Sequence, residues 1–231
     1  MGKLFYALLE ALKLLFSGDS EVFNMIGTSF HVSLISTLIA TIIALPLGIW
    51  FGLGNFRGRK ALDIVFNTLL FLPTVVVGHV VYLFLTRDGP FGSYGLLFTR
   101  SAIIIGQVIL ATPIIMTMIS NALRVADPRI VATALTLGAS RLKAYFVVMG
   151  EVKGLILLAI IAGFGRVIAE VGASMMLGGN IAGKTRTITT GISLLTSMGE
   201  FSKATALGIV LLIIVFGINI VVYMATHRKP A

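Results

Sequence analysis

The sequence predicts an all-α, polytopic membrane protein with about five spanning helices. Hydrophobic residues make up 57% of the 231-residue chain and charged residues only 12%, against roughly 25% charged in an ordinary soluble domain. The mean hydropathy is +1.03, and the apolar residues gather into runs of the roughly 20 needed to cross a hydrocarbon core. Too little chain remains between those runs for a soluble domain. The chain has no cysteine, which excludes disulfides, iron–sulfur clusters and thiolate metal sites. A formal charge of +9 suits loops at an anionic membrane surface and is equally compatible with an anionic solute.

Residues 1–20 are read apart from a membrane domain over 21–231. Within them, Lys3 to Phe16 is helix-periodic, with Lys3, Glu10 and Lys13 near one face and leucines on the other. At about 1.5 Å per residue this segment reaches only about 21 Å. It is therefore expected to be an amphipathic helix lying in the interface. Glu10 and Lys13 interrupt the apolar stretch and no small-x-small site follows, so it is not read as a signal peptide.

Hydropathy places spans at roughly 24–53, 61–86, 101–124, 152–177 and 204–226. Pro46, Pro73 and Pro113 fall one in each of the first three, where each removes a backbone donor and loosens its helix. Gly48 and Gly52 form a GxxxG whose default meaning is close packing within the chain. His31 and His79 have no second ligand at metal spacing and are expected to be packing histidines. Gln107, Asn67 and Asn219 are expected to bridge helices.

Between the third and fourth spans, residues 125–150 open with Asp127-Pro128, a helix-start signal. A short helix is expected to reach Leu137, Gly138 to turn the chain, and a second helix to run over 140–149. Two short helices with an exposed Leu-Thr-Leu-Gly-Ala-Ser tip suit a knob that enters a groove on another protein.

The fourth span carries Arg166 and Glu170, a charged pair four residues apart and so on one face of a continuous helix. Each ionised group near the bilayer centre costs roughly 2.5–3.5 kcal/mol on insertion scales. The pair is expected to face protein or water, either as a structural ion pair or as part of an anion path with Ser174 and Asn180. Beyond it, Gly178 to Thr185 satisfies GxxxxGK[ST], the phosphate-cradling expression. That motif requires a preceding strand and an α/β domain, and here it follows a membrane span. The segment is read instead as an external loop carrying Thr185, Arg186 and Thr187.

The basic residues set the orientation. Arg57, Arg59, Lys60, Arg124, Arg129, Arg141, Lys143, Lys153, Arg228 and Lys229 share one side of a five-span protein. Lys3, Lys13, Arg87, Arg100, Lys184, Arg186 and Lys203 share the other. The bias predicts an outside N-terminus and a cytoplasmic C-terminus in the cell membrane of a prokaryote. Were 3–16 to cross as well, there would be six spans.

Ala132-Thr-Ala-Leu-Thr-Leu-Gly138-Ala-Ser-Arg resembles the EAA loop of permease subunits of ATP-binding-cassette importers, and five core spans with that loop between the third and fourth resemble the type I, MetI-like class. The chain departs from the family pattern at Ala132, where a Glu is usual, at Thr133, and at Gly150-Glu151, where Leu-Pro is common. Phe164-Gly-Arg166-Val-Ile-Ala-Glu170-Val-Gly172-Ala-Ser and Gly179-Asn180-Ile-Ala-Gly183-Lys-Thr185-Arg186-Thr187 are similar to stretches of molybdate, tungstate and sulfate permeases. With Leu195-Thr-Ser-Met-Gly-Glu-Phe201, the likeness is nearest to the tungstate subgroup.

The resemblance implies a homodimer working by alternating access with two ATPase subunits and an external solute-binding protein, moving an oxyanion through the bilayer. It assigns Ala134, Leu135, Thr136, Leu137, Gly138, Ala139, Ser140 and Arg141 to coupling with the ATPase, and Arg166, Glu170, Ser174 and Asn180 to the path or gate. The chain itself is expected to be no enzyme, to hold no metal or cofactor, and to bind no nucleic acid; ATP-Mg belongs to the partner. The alternatives are a molybdate or sulfate importer, an ATP-independent secondary transporter or channel, and a scaffold without transport.

Overall fold

The structure, a computed structural model, describes residues 5, 9, 12, 13, 19–54 and 56–226, with backbone alone at 221–223, 225 and 226. The interfacial helix expected over 1–20 and the tail cations Arg228 and Lys229 fall almost wholly outside the described residues. The remainder is helical: α1 (Ser20–Leu53), α2 (Arg59–Leu69), α3 (Thr74–Leu85), a 3-10 turn (Gly92–Tyr94), α4 (Arg100–Val125), α5 (Pro128–Thr136), α6 (Arg141–Glu151), α7 (Lys153–Ile168), α8 (Gly172–Gly178), α9 (Ile188–Ser197) and α10 (Phe201–Thr226).

Among the described residues α1, α4 and α10 are each long and apolar enough to cross a membrane, and the number rises to five if α2 with α3 and α6 with α7 each form one bent span. The 95° bend falls at Pro73, where the sequence predicts a loosened helix, and the 74° bend separates the expected second hairpin helix from the fourth span. The second expected span breaks after Leu69, and α3 starts at Thr74, directly after Pro73. Proline disfavours helix at the residue before it and supplies no donor of its own. Pro46 and Pro113 lie inside α1 and α4 without ending them. The fourth span stops at Ile168, and α8 and α9 follow as separate short helices in what hydropathy reads as span end and loop.

The chain packs as two compact units, one of residues 1–33, 74–106 and 168–231, the other of residues 34–73 and 107–167. In the second unit, Ala40, Ala44, Ala111, Ile115, Met116, Ile119, Leu123, Val148, Val152 and Ala159 form the core. Small residues let α1 and α4 approach closely there. A Cβ on Gly48 would stand 2.9 Å from Ile119 Cγ2, and one on Gly52 2.9 Å from Leu123 Cβ and 3.1 Å from the Ser120 carbonyl. The GxxxG is thus consumed within the chain.

The end of α1 is held by Arg59, which donates to the Gly52 and Gly54 carbonyls at 2.9 and 3.0 Å and so satisfies acceptors that a helix C-terminus leaves open. Phe51, Phe56 and Phe66 close the same corner edge to face, with Trp50 stacked on Phe56 at 4.6 Å. Gln107 accepts from Ser36 Oγ at 2.9 Å and donates to the Val167 carbonyl at 3.1 Å, bridging α1, α4 and α7 as expected. Asn67 instead donates to the Asp63 carbonyl of its own helix, and His31 and His79 are exposed rather than packed.

In the first unit, Val22, Met25, Ile188 and Leu207 form a core of α1, α9 and α10. The outward faces of α1 and α10 stay apolar, with Leu38, Ile42, Leu212 and Phe216 all exposed, as lipid-facing helices require. Replacing Gly52 by Leu should force the α1–α4 contact apart, because its nearest neighbours include backbone. Overpacking of this kind costs about 1–3 kcal/mol. The expected result is a lower thermal midpoint in detergent for Gly52→Leu than for wild type, and an unchanged midpoint would count against the close approach.

Candidate functional site

Two regions concentrate polar or exposed groups that the cores do not use. The first is the helical hairpin of α5 and α6. Asp127 accepts from Arg129 N at 2.9 Å, with Pro128 in the first turn, and Ser140 accepts from Lys143 N at the start of α6; both are N-caps. Between them Gly138 adopts φ +84°. Its N–H donates to the Leu135 carbonyl and that of Ala139 to the Ala134 carbonyl, each at 3.0 Å. This paired arrangement is a Schellman turn, which favours glycine at the left-handed position.

The turn presents apolar side chains outward. Leu137 is 82% exposed and Leu142 66%, with Leu135, Phe146 and Val147 beside them in the same hairpin. No residue of α5 is buried, whereas α6 sinks Ala144 and Val148 inward, Val148 belonging to the second unit's core. The hairpin therefore has a free tip and a fixed root. Thr136, Ala139 and Arg141 complete the tip; the Thr136 hydroxyl donates to the Thr133 carbonyl.

The second region runs from the end of α7 to the start of α9. Arg166 stands in the last turn of α7. Glu170 lies two residues past the end of that helix, so the single helix expected to carry both residues ends between them. This corrects the geometry expected from sequence. Glu170 is 3% exposed; its Oε1 accepts from Ala173 N at 3.0 Å in the first turn of α8, and its own carbonyl accepts from Thr189 Oγ1 at 2.8 Å. The carboxylate thus satisfies backbone where the helix is broken. Ser174, on α8, is 1% exposed, and its hydroxyl has no hydrogen-bond partner among the described residues.

Residues 179–187 form a compact loop. Gly179 and Asn180 take positive φ values of 67° and 50°, and a Cβ at Gly179 would meet the Phe98 ring at 2.7 Å. Thr185 is the stitch: its hydroxyl donates to the Gly178 carbonyl at 2.6 Å and accepts from Ile181 N at 3.0 Å. The amides of Lys184, Thr185 and Arg186 all point to the Ile181 carbonyl. The donors that a phosphate-binding loop would offer are therefore spent internally, and a short helix rather than a strand precedes the loop.

Thr187 caps α9 with a reciprocal Thr187–Thr190 box, and Ile188 N donates to Ser29 Oγ at 2.8 Å. Asn180 Nδ2 donates to the Thr190 carbonyl at 3.3 Å. Thr185 and Thr187, expected in an external loop, are buried at 1% and 3% exposure. Arg186 reaches Glu21 of α1, Nη1 to Oε1, at 2.6 Å, and Arg100 ties the loop down by donating to the Lys184 carbonyl at 2.7 Å and to Thr28 Oγ1 at 3.1 Å. Ser29, Thr189, Glu21 and Arg100 are missed by sequence reasoning, since each acts across a long separation. Among the described residues no three His, Cys, Asp or Glu side chains gather as a metal site.

A span that ends at Ile168, a short apolar helix after it and a capped hairpin with an apolar tip are what these two regions set beside the packed cores. Residues 44–228 match the model of the family described as binding-protein-dependent transport system inner membrane component. The chain belongs to that family. Its members are inner-membrane permease subunits, in keeping with the apolar helices found here. The chain is 41% identical over 213 residues to the tungstate uptake system permease protein TupB of Peptoclostridium acidaminophilum, covering 92% of this chain and 93% of that one. It is 37% identical to the protein of the same name from Campylobacter jejuni, over 95% and 90% of the two chains. The molybdenum transport system permease protein ModB of Escherichia coli is 31% identical, over 78% and 84%.

As a permease of this family the chain must hold irregular backbone inside an apolar body, and Thr185 is the residue most heavily used for it. Thr185→Val would leave the buried Gly178 carbonyl and the Ile181 N–H without their shared partner, at about 1–3 kcal/mol for such a loss. Faster tryptic cleavage after Lys184, an exposed residue of the loop, is the expected readout. Cleavage at the wild-type rate would show that the hydroxyl does not hold the loop.

Proposed function

We propose that this chain is the membrane-spanning subunit of an ATP-driven tungstate importer, acting as a homodimer with two ATPase subunits and an external binding protein. The observation that carries the reading is the 41% and 37% identity to tungstate uptake permeases across at least nine-tenths of each chain. The 31% likeness to a molybdate-system permease covers less of the chain, which ranks molybdate second.

The hairpin supports a coupling role. Among the described residues nothing covers the apolar tip of Leu137 and Leu142, and exposed apolar surface rimmed by polar residues marks a partner site. The tip docks on the ATPase, whose ATP-bound closure draws the hairpins together. Because α6 is rooted in the core through Ala144 and Val148, displacement of the tip is carried into the helices around it. The anion path then opens outward to receive the solute, and hydrolysis reopens it inward. In this reading the N-terminus is outside and the hairpin cytoplasmic, ATP-Mg is bound by the partner, and the chain catalyses no reaction.

Arg166, Glu170, Ser174 and Asn180 are the proposed path or gate residues. Arg166 and Asn180 are partly exposed, whereas Glu170 and Ser174 are buried in this conformation, so they shape α8 and its neighbours rather than meet the solute directly.

The experiment is ATP hydrolysis by the complex in liposomes, with its binding protein loaded in turn with tungstate, molybdate or sulfate. Stimulation by the tungstate-loaded form above the others is expected; a higher response to molybdate would exchange the assignment, and no response to any would remove it. Coupling is tested separately with Leu137→Glu, which places a charge on the tip with almost no packing to lose. Gly138→Glu is the weaker variant because a side chain at φ +84° also strains the turn. Leu137→Glu should reach the membrane at wild-type level and lose most of its stimulated transport; wild-type transport would refute docking by the tip.

A further inference from the structure

The Arg186–Glu21 pair joins residues 165 positions apart, and its two halves are not held alike. Arg186 is the fixed half, with a side chain 19% exposed. Its Nη2 donates to the Asn180 carbonyl at 3.4 Å, and its Nε, shut off from solvent, has no hydrogen-bond partner among the described residues. Glu21 is the loose half. Its side chain is 58% exposed, in the first turn of α1 and one helical turn before Met25, so a change of rotamer carries its carboxylate into solvent.

Beside the pair lies a cavity of about 150 Å³ lined by Asp19, Glu21, Met25, Arg186, Lys203 and Leu207, among others. A cavity of that size admits a molecule as large as benzene, and so has room for a tetrahedral oxyanion. Asp19 is already engaged, accepting from Glu21 N and Val22 N at 2.8 and 3.1 Å. Lys203 is paired with Glu200 at 2.8 Å across an exposed surface. When Glu21 swings away, the Arg186 Nη1 edge is freed toward the cavity, while the Asp19 carboxylate stays on the amides that open α1.

We propose that Glu21 is a built-in surrogate anion, and that its carboxylate exchanges on Arg186 with an incoming tetrahedral oxyanion, making this cavity a transient station of the permease. The inference rests on the oxyanion-importer reading and adds a site to it. Planar guanidinium recognises tetrahedral oxyanions through paired donors. A dianion brings two charges against the one of Glu21, whose half of the pair is 58% exposed and so screened by water. Because Glu21 returns as the anion leaves, neither a buried bare cation nor a tightly held solute remains, which suits a subunit that must pass its cargo on.

The test is equilibrium binding of radiolabelled tungstate to the assembled permease–ATPase complex in nanodiscs, without the binding protein. Glu21→Gln keeps the shape and the acceptor oxygen but removes the competing charge. It should tighten binding by about tenfold, which is 1.4 kcal/mol and within reach of a charge-assisted hydrogen bond. The gain should vanish in the Glu21→Gln, Arg186→Gln double variant, and fall in Glu21→Gln, Arg186→Lys, which keeps the charge but removes the paired donors. Equal binding by wild type and Glu21→Gln, or a gain that survives loss of Arg186, would overturn the exchange. If stimulation by loaded binding protein is intact while Glu21→Gln changes nothing, the station alone is wrong; if the Glu21→Gln gain appears without any such stimulation, the importer assignment is the one that fails.

Discussion

Backbone that leaves the helix inside an apolar body must find its hydrogen bonds within the protein, and the segment from Ala169 to Thr187 is organised by that demand. Water does not reach the buried polar groups of this segment, and each one left unsatisfied costs several kcal/mol. Side-chain oxygens stand in for it. Glu170 accepts from Ala173 N, Thr189 donates to the carbonyl of Glu170, Thr185 serves both Gly178 and Ile181, and Ser29 accepts from Ile188 N. The buried Thr and Ser residues of this unit are thus the means by which a span can stop, turn and restart. They also explain why a charged residue sits at the break: a carboxylate accepts stronger hydrogen bonds from N–H than a neutral oxygen does.

Close approach is the complementary device. Where hydroxyls allow the chain to break, glycines allow unbroken helices to touch. A Cβ at Gly78 would stand 2.8 Å from Ala173 Cα, and one at Gly172 2.8 Å from Val75 Cγ2, so α3 and α8 meet at backbone distance. In lipid there is no hydrophobic gain from packing one apolar helix on another, and contact of this kind, through dispersion and small residues, holds helices together. The short α8 has few residues with which to anchor itself, and depends on this fit more than α4 does.

What sequence makes legible is what local chemistry encodes. The hairpin is readable because Asp127-Pro128, Gly138 and Ser140 are start, stop and start signals within a few residues of the groups they serve. The spans are readable because hydropathy is additive along the chain. The breaks are not, since residues 152–177 are equally apolar whether they form one helix or two; hydropathy therefore set Arg166 and Glu170 on one face of a helix that ends at Ile168. A signal for α9 is present in Thr187-Ile-Thr-Thr190, but a Thr in place of Glu or Gln at the third position weakens the capping-box pattern. The partners of Glu170, Arg186 and Ile188 are set by tertiary structure, at separations of 19, 165 and 159 residues for Thr189, Glu21 and Ser29. No local pattern announces them. The histidines mislead for the opposite reason: a polar ring in an apolar run suggests a buried partner, yet both face outward.

The distribution of rigidity bears on how such a subunit can work. Leu137 at the hairpin tip is 82% exposed, yet eleven residues later α6 places Val148 at 1% exposure in a core that also holds Ala44, Ile115 and Ile119. Close-packed cores transmit displacement because they have few voids to absorb it. A push at the tip therefore has little compliance to lose before it reaches α1 and α4, where Gly48 and Gly52 leave no slack against Ile119 and Leu123. The bends at 70–73 and between α6 and α7 are the places where direction can change without breaking packed helix. Under the proposed coupling, a stiff root beside defined backbone breaks is what would carry a contact at the tip into whole helices, the mechanical property a permease needs if its energy comes from another protein.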